Sequence, residues 1–124
     1  MDFKGVIIEE SLKDKEILKS VTILNTEVEK VTDEHQTSWL KRWTLHTIIV
    51  PEEMADKFAK KLSESLDDEH NWYADFKNDS THYIIFKNKV FKIDRKRNEY
   101  EKVVKYGSSL GIPDYQLDFS SELK

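Results

Sequence analysis

Residues Asn71 to Asp94 read NWYADFKNDSTHYIIFKNKVFKID, and the patterning of this stretch decides the fold. Trp72, Ala74 and Phe76 alternate with Tyr73, Asp75 and Lys77, which predicts a strand with one apolar and one polar face. His82 to Phe86 and Val90 to Asp94 read as further strands, so the stretch folds as two or three antiparallel strands joined by short turns. With a three-residue turn at Asn78-Asp79-Ser80, one face collects Trp72, Ala74, Phe76, His82, Ile84 and Phe86. The other then collects Tyr73, Asp75, Lys77, Thr81, Tyr83 and Ile85, with Asp75 opposite Tyr83.

Upstream, Gly5 to Leu12 and Val21 to Val31 read as strands, the second alternating Leu24, Thr26 and Val28 with Asn25, Glu27 and Glu29. Polar, aperiodic Asp33 to Ser38 predicts a loop, and β-branched Trp43 to Val50 a third strand. Pro51 ends that strand and opens a helix, with Glu52 and Glu53 at the positive end of the dipole. Met54, Phe58, Leu62 and Leu66, with Ala55 and Ala59, form its buried stripe. Asp94 caps a second helix running to about Leu110, with Tyr100, Val103 and Val104 inward, and Gly111 and Pro113 stop it. Tyr115, Leu117 and Phe119 alternate again, predicting an edge strand or an extended arm.

Strands joined mostly by hairpins, with two amphipathic helices, give an α+β fold: a two-layer sandwich of five or six antiparallel strands with both helices on one face. A ferredoxin-like arrangement is one candidate topology, although no helix is predicted between the early strands. The 124 residues suit a single domain, 1–124, with 112–124 as a C-terminal arm. A charged fraction of 35% implies a heavily ionic surface, and three Trp, five Tyr and six Phe supply the core that a 38% hydrophobic chain needs.

A net charge of -4 argues against a generic nucleic-acid binder. No cysteine is present, which excludes disulfides, thiolate nucleophiles and Cys-ligated metal sites. Met1-Asp2-Phe3-Lys4 reads as neither a signal peptide nor a membrane span, so the expected location is cytoplasmic. No cofactor motif is present and no metal is expected, since neither His46 nor His82 has a ligand-type spacing to a second histidine or carboxylate.

Four groups of side chains are candidates for function. Tyr73, Asp75, Lys77 and Tyr83 could bind a small polar ligand, with Asp75 as anchor; the plainer reading is a solvated sheet face. His46 or His82 could serve a small hydrolase or isomerase if it met Asp75 in a pocket; the plainer reading is a packed structural histidine. His35 and His70 fall in polar loops and carry no signal. Trp39 and Trp43 flank Leu40-Lys41-Arg42 and could stack a base or meet a protein, or simply pack on the core. The basic segment 87–97 could bind nucleic acid together with Trp39, and it includes Arg95, Lys96 and Arg97 at a helix start, where an anion such as a phosphate would relieve the unfavourable placement of cations; the plainer reading is a solvated turn.

The runs Ser65 to Asp79 (SLDDEHNWYADFKND) and Lys105 to Phe119 (KYGSSLGIPDYQLDF) resemble those of small uncharacterised prokaryotic proteins. The resemblance covers most of the chain and implies a bacterial or archaeal origin; it brings no activity and no catalytic residue. The expected function is a non-catalytic module for a small polar ligand or a protein partner, with no membrane partner. A homo-oligomer would pair edge strands or exchange the arm from Tyr115 to Phe119.

Overall fold

The turn after Lys77 sets the register of the sheet. Asn78 Oδ1 accepts the backbone N–H groups of Ser80 (3.0 Å) and Thr81 (2.9 Å), and Asn78 N–H donates to the Thr81 carbonyl (3.0 Å). This side-chain-tied turn holds Asn78 to Thr81, one residue more than expected. In a computed structural model that describes residues 1–32, 39–112, 114–117 and 119, β4 (Tyr73–Lys77) therefore pairs with β5 (His82–Phe86) through Asp75↔Ile84, Phe76↔Tyr83 and Lys77↔His82. The expected pairing of Asp75 with Tyr83 is corrected by one residue. Because side chains alternate with period two, the slip moves the whole of β5 to the other face.

The other strands are β1 (Phe3–Ile8), β2 (Thr22–Lys30), β3 (Arg42–Val50) and β6 (Lys89–Ile93). They complete a six-stranded sheet in the order β2-β3-β1-β4-β5-β6, with every neighbouring pair antiparallel. The first strand is shorter than predicted, because Glu9–Ser11 turn into a 3-10 helix. The predicted loop from Asp33 to Ser38, with His35, lies outside the described residues.

Helix α1 (Ala55–Ser65) follows a 3-10 turn, Glu52–Met54, and buries Ala55, Phe58, Ala59 and Leu62. Met54, expected to begin the stripe, is 42% exposed. A 3-10 turn advances about 120° per residue rather than 100°, so Met54 falls out of phase with Phe58. The buried face of α1 meets Phe3, Ile48, Phe76, Tyr83 and Ile85. Rings dominate there: Phe76 stacks on Tyr83 (centroids 4.8 Å apart) and Phe3 meets Tyr83 edge-on (5.1 Å). Burying each such ring contributes roughly 2–3 kcal/mol.

Helix α2 (Arg97–Ser109) lies on the opposite face, packing Tyr100 and Val103 against Ile84, Phe86 and Ile93. Two helices on one face is thus corrected: around β5 the layers run α1, sheet, α2. All five residues of β5 are buried, and helices on one side alone would leave either Tyr83 and Ile85 or Ile84 and Phe86 in water. Helix α1 carries the chain from β3 over β1 to β4, as in half of a ferredoxin-like fold, but α2 follows the last strand instead of making a second such crossover. Asp94 does not cap α2; Lys96 is the N-cap, and Asp94 Oδ1 accepts Lys96 N–H (3.2 Å).

The C-terminal segment is neither an edge strand nor a free arm where it is described. Asp114–Leu117 form a 3-10 turn, and Leu117 and Phe119 are buried with α2. Gly107 makes room for this, since a Cβ there would lie 2.8 Å from Leu117 Cδ2. No helix among the described residues is long and apolar enough to cross a membrane.

Candidate functional site

With β5 in its observed register, His82 shares a face with Asp75. The two sit diagonally across β4 and β5, and His82 Nε2 lies 2.6 Å from Asp75 Oδ2. The other ring nitrogen, Nδ1, lies 2.8 Å from the Tyr100 hydroxyl on α2. A single ring proton satisfies this chain, with Nε2–H donating to the carboxylate and Nδ1 accepting the phenol proton. Phe119 closes over it, stacking on Tyr100 (5.3 Å) and meeting His82 edge-on (5.9 Å). The His82 ring is wholly buried, whereas the Asp75 side chain keeps 34% exposure. Only the carboxylate end of the chain faces outward.

It faces a cavity of about 250 Å³ on the α2 side of the sheet, just beyond the end of α2's cover. Trp43, Trp72 and Tyr73 form aromatic walls, Val6, Ile8 and Leu45 an aliphatic floor, Gln116 closes one end, and among the described residues Asp75 is the one charged side chain in the lining. Tyr73 donates its hydroxyl to the Gln116 carbonyl. Burial, with the Asp75 charge second, pushes the Tyr73 phenol up, so it remains a protonated donor. Trp72 Nε1 is buried and has no hydrogen-bond partner among the described residues. Trp43 and Trp72 meet edge-on (5.7 Å), and Trp39 reaches the same cluster, stacked on His70 (3.7 Å) and edge-on to Trp72 (6.4 Å).

The expected ligand set of Tyr73, Asp75, Lys77 and Tyr83 is therefore divided. Tyr73, Asp75 and Lys77 share the α2 face, while Tyr83 lies on the α1 face and donates to Asp56. Lys92 Nζ stands 3.3 Å from the same carboxylate. The Tyr83 hydrogen bond first, then Lys92, holds the Asp56 carboxyl below its ordinary value. Burial, then Asp56, raises the Tyr83 phenol.

His46 belongs to a second cluster on the α1 face. Its Nε2 lies 3.1 Å from Glu9 Oε1 and its Nδ1 2.8 Å from Thr26 Oγ1. Beside it, Glu10 accepts Thr44 N–H (2.5 Å) and the Thr44 hydroxyl (2.8 Å). Burial alone would raise Glu10, but the two Thr44 bonds outweigh it and hold the carboxyl below its ordinary value. His46 and Asp75 lie on opposite faces of the sheet, so of the two histidines only His82 meets Asp75.

The predicted cationic trio also separates. Arg95 is buried at a left-handed φ of 71° and donates Nη1–H to the Asn78 carbonyl (2.8 Å), while Lys96 and Arg97 stay exposed. His70, silent in the sequence, bonds Asp67 through Nδ1 (3.0 Å). With Glu69 they bring three ligand-type atoms within 4.8 Å of one another, the one such group among the described residues. All three residues fall within one short loop, and Trp39 stacks on the His70 ring from outside it. No protein-family model, curated protein or solved structure matches this chain.

Proposed function

We propose that this protein is a non-catalytic binding module for a small molecule with an apolar body and a polar head, seated in the cavity at Asp75. The observation that carries this reading is one carboxylate, held by a buried imidazole, in a wall that is aromatic and aliphatic apart from Gln116 at one end. Small-molecule sites combine such walls with a few fixed polar groups, and 250 Å³ falls just below their usual range of roughly 300–1,000 Å³, which suits a small ligand. The His82 bond fixes the rotamer of Asp75, so the carboxylate need not be ordered when a ligand arrives.

The test is an amide and indole NMR titration of the labelled protein with pooled amines, alcohols, nucleosides and sugars, repeated on Asp75→Asn. Shifts of the Trp43 and Trp72 indole N–H groups, at least tenfold weaker in affinity for the variant, are expected. Pools that leave both indoles unmoved, or an Asp75→Asn variant that binds as tightly as the parent protein, would remove the proposal.

The Asp75–His82–Tyr100 chain also favours a second reading, a small hydrolase or isomerase in which Asp75 exchanges the proton and His82 positions it. Both His82 nitrogens already have partners, so His82 itself is not the group that would touch substrate. Conversion of a bound compound during the titration, abolished by Asp75→Asn, would replace the binding module with this enzyme.

A further inference from the structure

What the cavity lining offers decides which head group it takes at Asp75. Asp75 Oδ2 is held by His82 Nε2, 2.6 Å away, and the carboxylate has no second hydrogen bond or ion pair among the described residues. Its other oxygen, Oδ1, therefore keeps its acceptor capacity unused, in a side chain that lines the cavity. With 34% of that side chain exposed, the group is already partly stripped of water. A cation that pairs with it there is less screened than at an open surface.

The rest of the lining favours the same sign of charge in the ligand. Trp43, Trp72 and Tyr73 supply aromatic rings, whose faces carry partial negative charge and attract cations. Trp43 and Trp72 are inclined at 61° with centroids 5.7 Å apart, so the two indoles bound the space from different directions. Two side chains that could donate to an anionic head are committed or withdrawn: Tyr73 donates its hydroxyl to the Gln116 carbonyl, and Trp72 Nε1 is buried. Lys77, two residues along β4 on the same face, lines a neighbouring depression with its cross-strand partner Lys4, and neither lysine lines this cavity. Among the described residues the lining thus holds one carboxylate, three aromatic rings and no cation.

We infer that the ligand of this cavity is a small organic ammonium ion, its N–H groups on Asp75 and its hydrocarbon body against Trp43 and Trp72. The inference rests on the reading of the Asp75 cavity as a binding site and adds the charge of the ligand. A protonated amine brings donors and the opposite charge together, the strongest hydrogen-bonded pairing open to a carboxylate. The indoles add cation–π attraction to the ammonium group and apolar contact to the carbons bonded to it. An alcohol of the same shape brings one donor and no charge, and an anion of that shape is repelled by Asp75. The cavity, about 250 Å³, equals the liquid volume of roughly eight waters, which limits the body to a few carbons.

The test uses three probes with one carbon skeleton, isoamylammonium, isoamyl alcohol and isovalerate, titrated into the labelled protein at neutral pH with ionic strength held constant by chloride. Saturable shifts of the Trp43 and Trp72 indole N–H groups and the Asp75 amide are expected with isoamylammonium. Its affinity should exceed that of the alcohol by roughly tenfold or more, with isovalerate weakest. In Asp75→Asn the ammonium is expected to fall to the alcohol's affinity while the alcohol binds as before. An unchanged melting temperature checks that the variant folds, and the three-probe comparison on the parent protein does not depend on it. Alcohol binding as tightly as ammonium, or indoles moved only by uncharged or anionic compounds, would overturn the ammonium ion and leave the cavity a binding site for another head. Indoles unmoved by every probe and pool, or ammonium bound undiminished by Asp75→Asn, would remove the reading of the cavity itself and the inference with it.

Discussion

Strands β5 and β2 belong to one sheet, yet every residue of β5 is buried and every residue of β2 is exposed. The sheet is covered on both faces over β5, by α1 on one side and by α2 with Leu117 and Phe119 on the other. Strand β2 is held by pairing with β3 along Thr22 to Lys30, and leaves Leu24 and Val28 56% and 62% exposed. One half of the sheet is stabilised by apolar burial, and the other chiefly by its ladder. The candidate cavity sits at the boundary, where α2's cover ends and Asp75 emerges from the His82–Tyr100 chain.

The sharpest way to break this contrast is a paired truncation. Phe86 is fully buried against Tyr106, Phe91 and Tyr73. Phe86→Ala is expected to cost about 3–5 kcal/mol in chemical denaturation, against under about 0.5 kcal/mol for Val28→Ala on the exposed strand. A comparable loss for Val28→Ala, growing with protein concentration, would show instead that a second copy covers β2.

A smaller effect is expected at the seam between the halves. A Cβ on Gly5 would stand 2.1 Å from the Asp75 carbonyl oxygen and 2.7 Å from Phe76 Cα, backbone atoms that cannot rotate away. Gly5→Ala should force β1 from β4 and cost about 2–3 kcal/mol, read as a lower melting temperature together with altered Asp75 and Phe76 amide shifts. Unchanged shifts would mean that the two halves tolerate a wider gap than the close approach implies.

The smallest expected effect lies in the thinly covered half. Glu10 is held below its ordinary carboxyl value by the Thr44 bonds, so its contribution is present above the unfolded value, near 4.5, and is lost as pH falls through the folded one. Glu10→Gln should therefore cost about 1 kcal/mol at neutral pH, with the difference from the parent protein closing in acid. A difference that stayed constant from pH 7 to pH 3 would show that the Gln amide fails to fit the site, and that the Glu10 charge is not what stabilises it.

Much of this architecture is legible in the chain. Alternation at Trp72 to Lys77 and the stripe of Phe58, Leu62 and Leu66 mark elements that the structure contains. Two signals carried more than the expected fold took from them. Asn78 two and three residues before Ser80 and Thr81 is the pattern of an Asx-tied turn, which specifies the four-residue connection. The unbroken run His82-Tyr83-Ile84-Ile85-Phe86 has no wet face, the mark of a strand covered on both sides. Glu9 beside His46, and Lys4 opposite Lys77, have no such signal, because they depend on how strands distant in sequence are paired.

What the sequence determined by itself is local: which segments alternate with period two, which form an amphipathic helix, and where Pro51 and Gly111 stop them. These follow from backbone geometry and the spacing of apolar side chains within a few residues. The tertiary structure decided the faces. A one-residue difference in the turn at Asn78 separated Tyr83 from Asp75 and brought His82 to it, and the need to cover β5 twice sent α2 to the face opposite α1. Side-chain alternation converts a single step of register into a change of face, so the candidate site was fixed by pairing between strands rather than by any one of them.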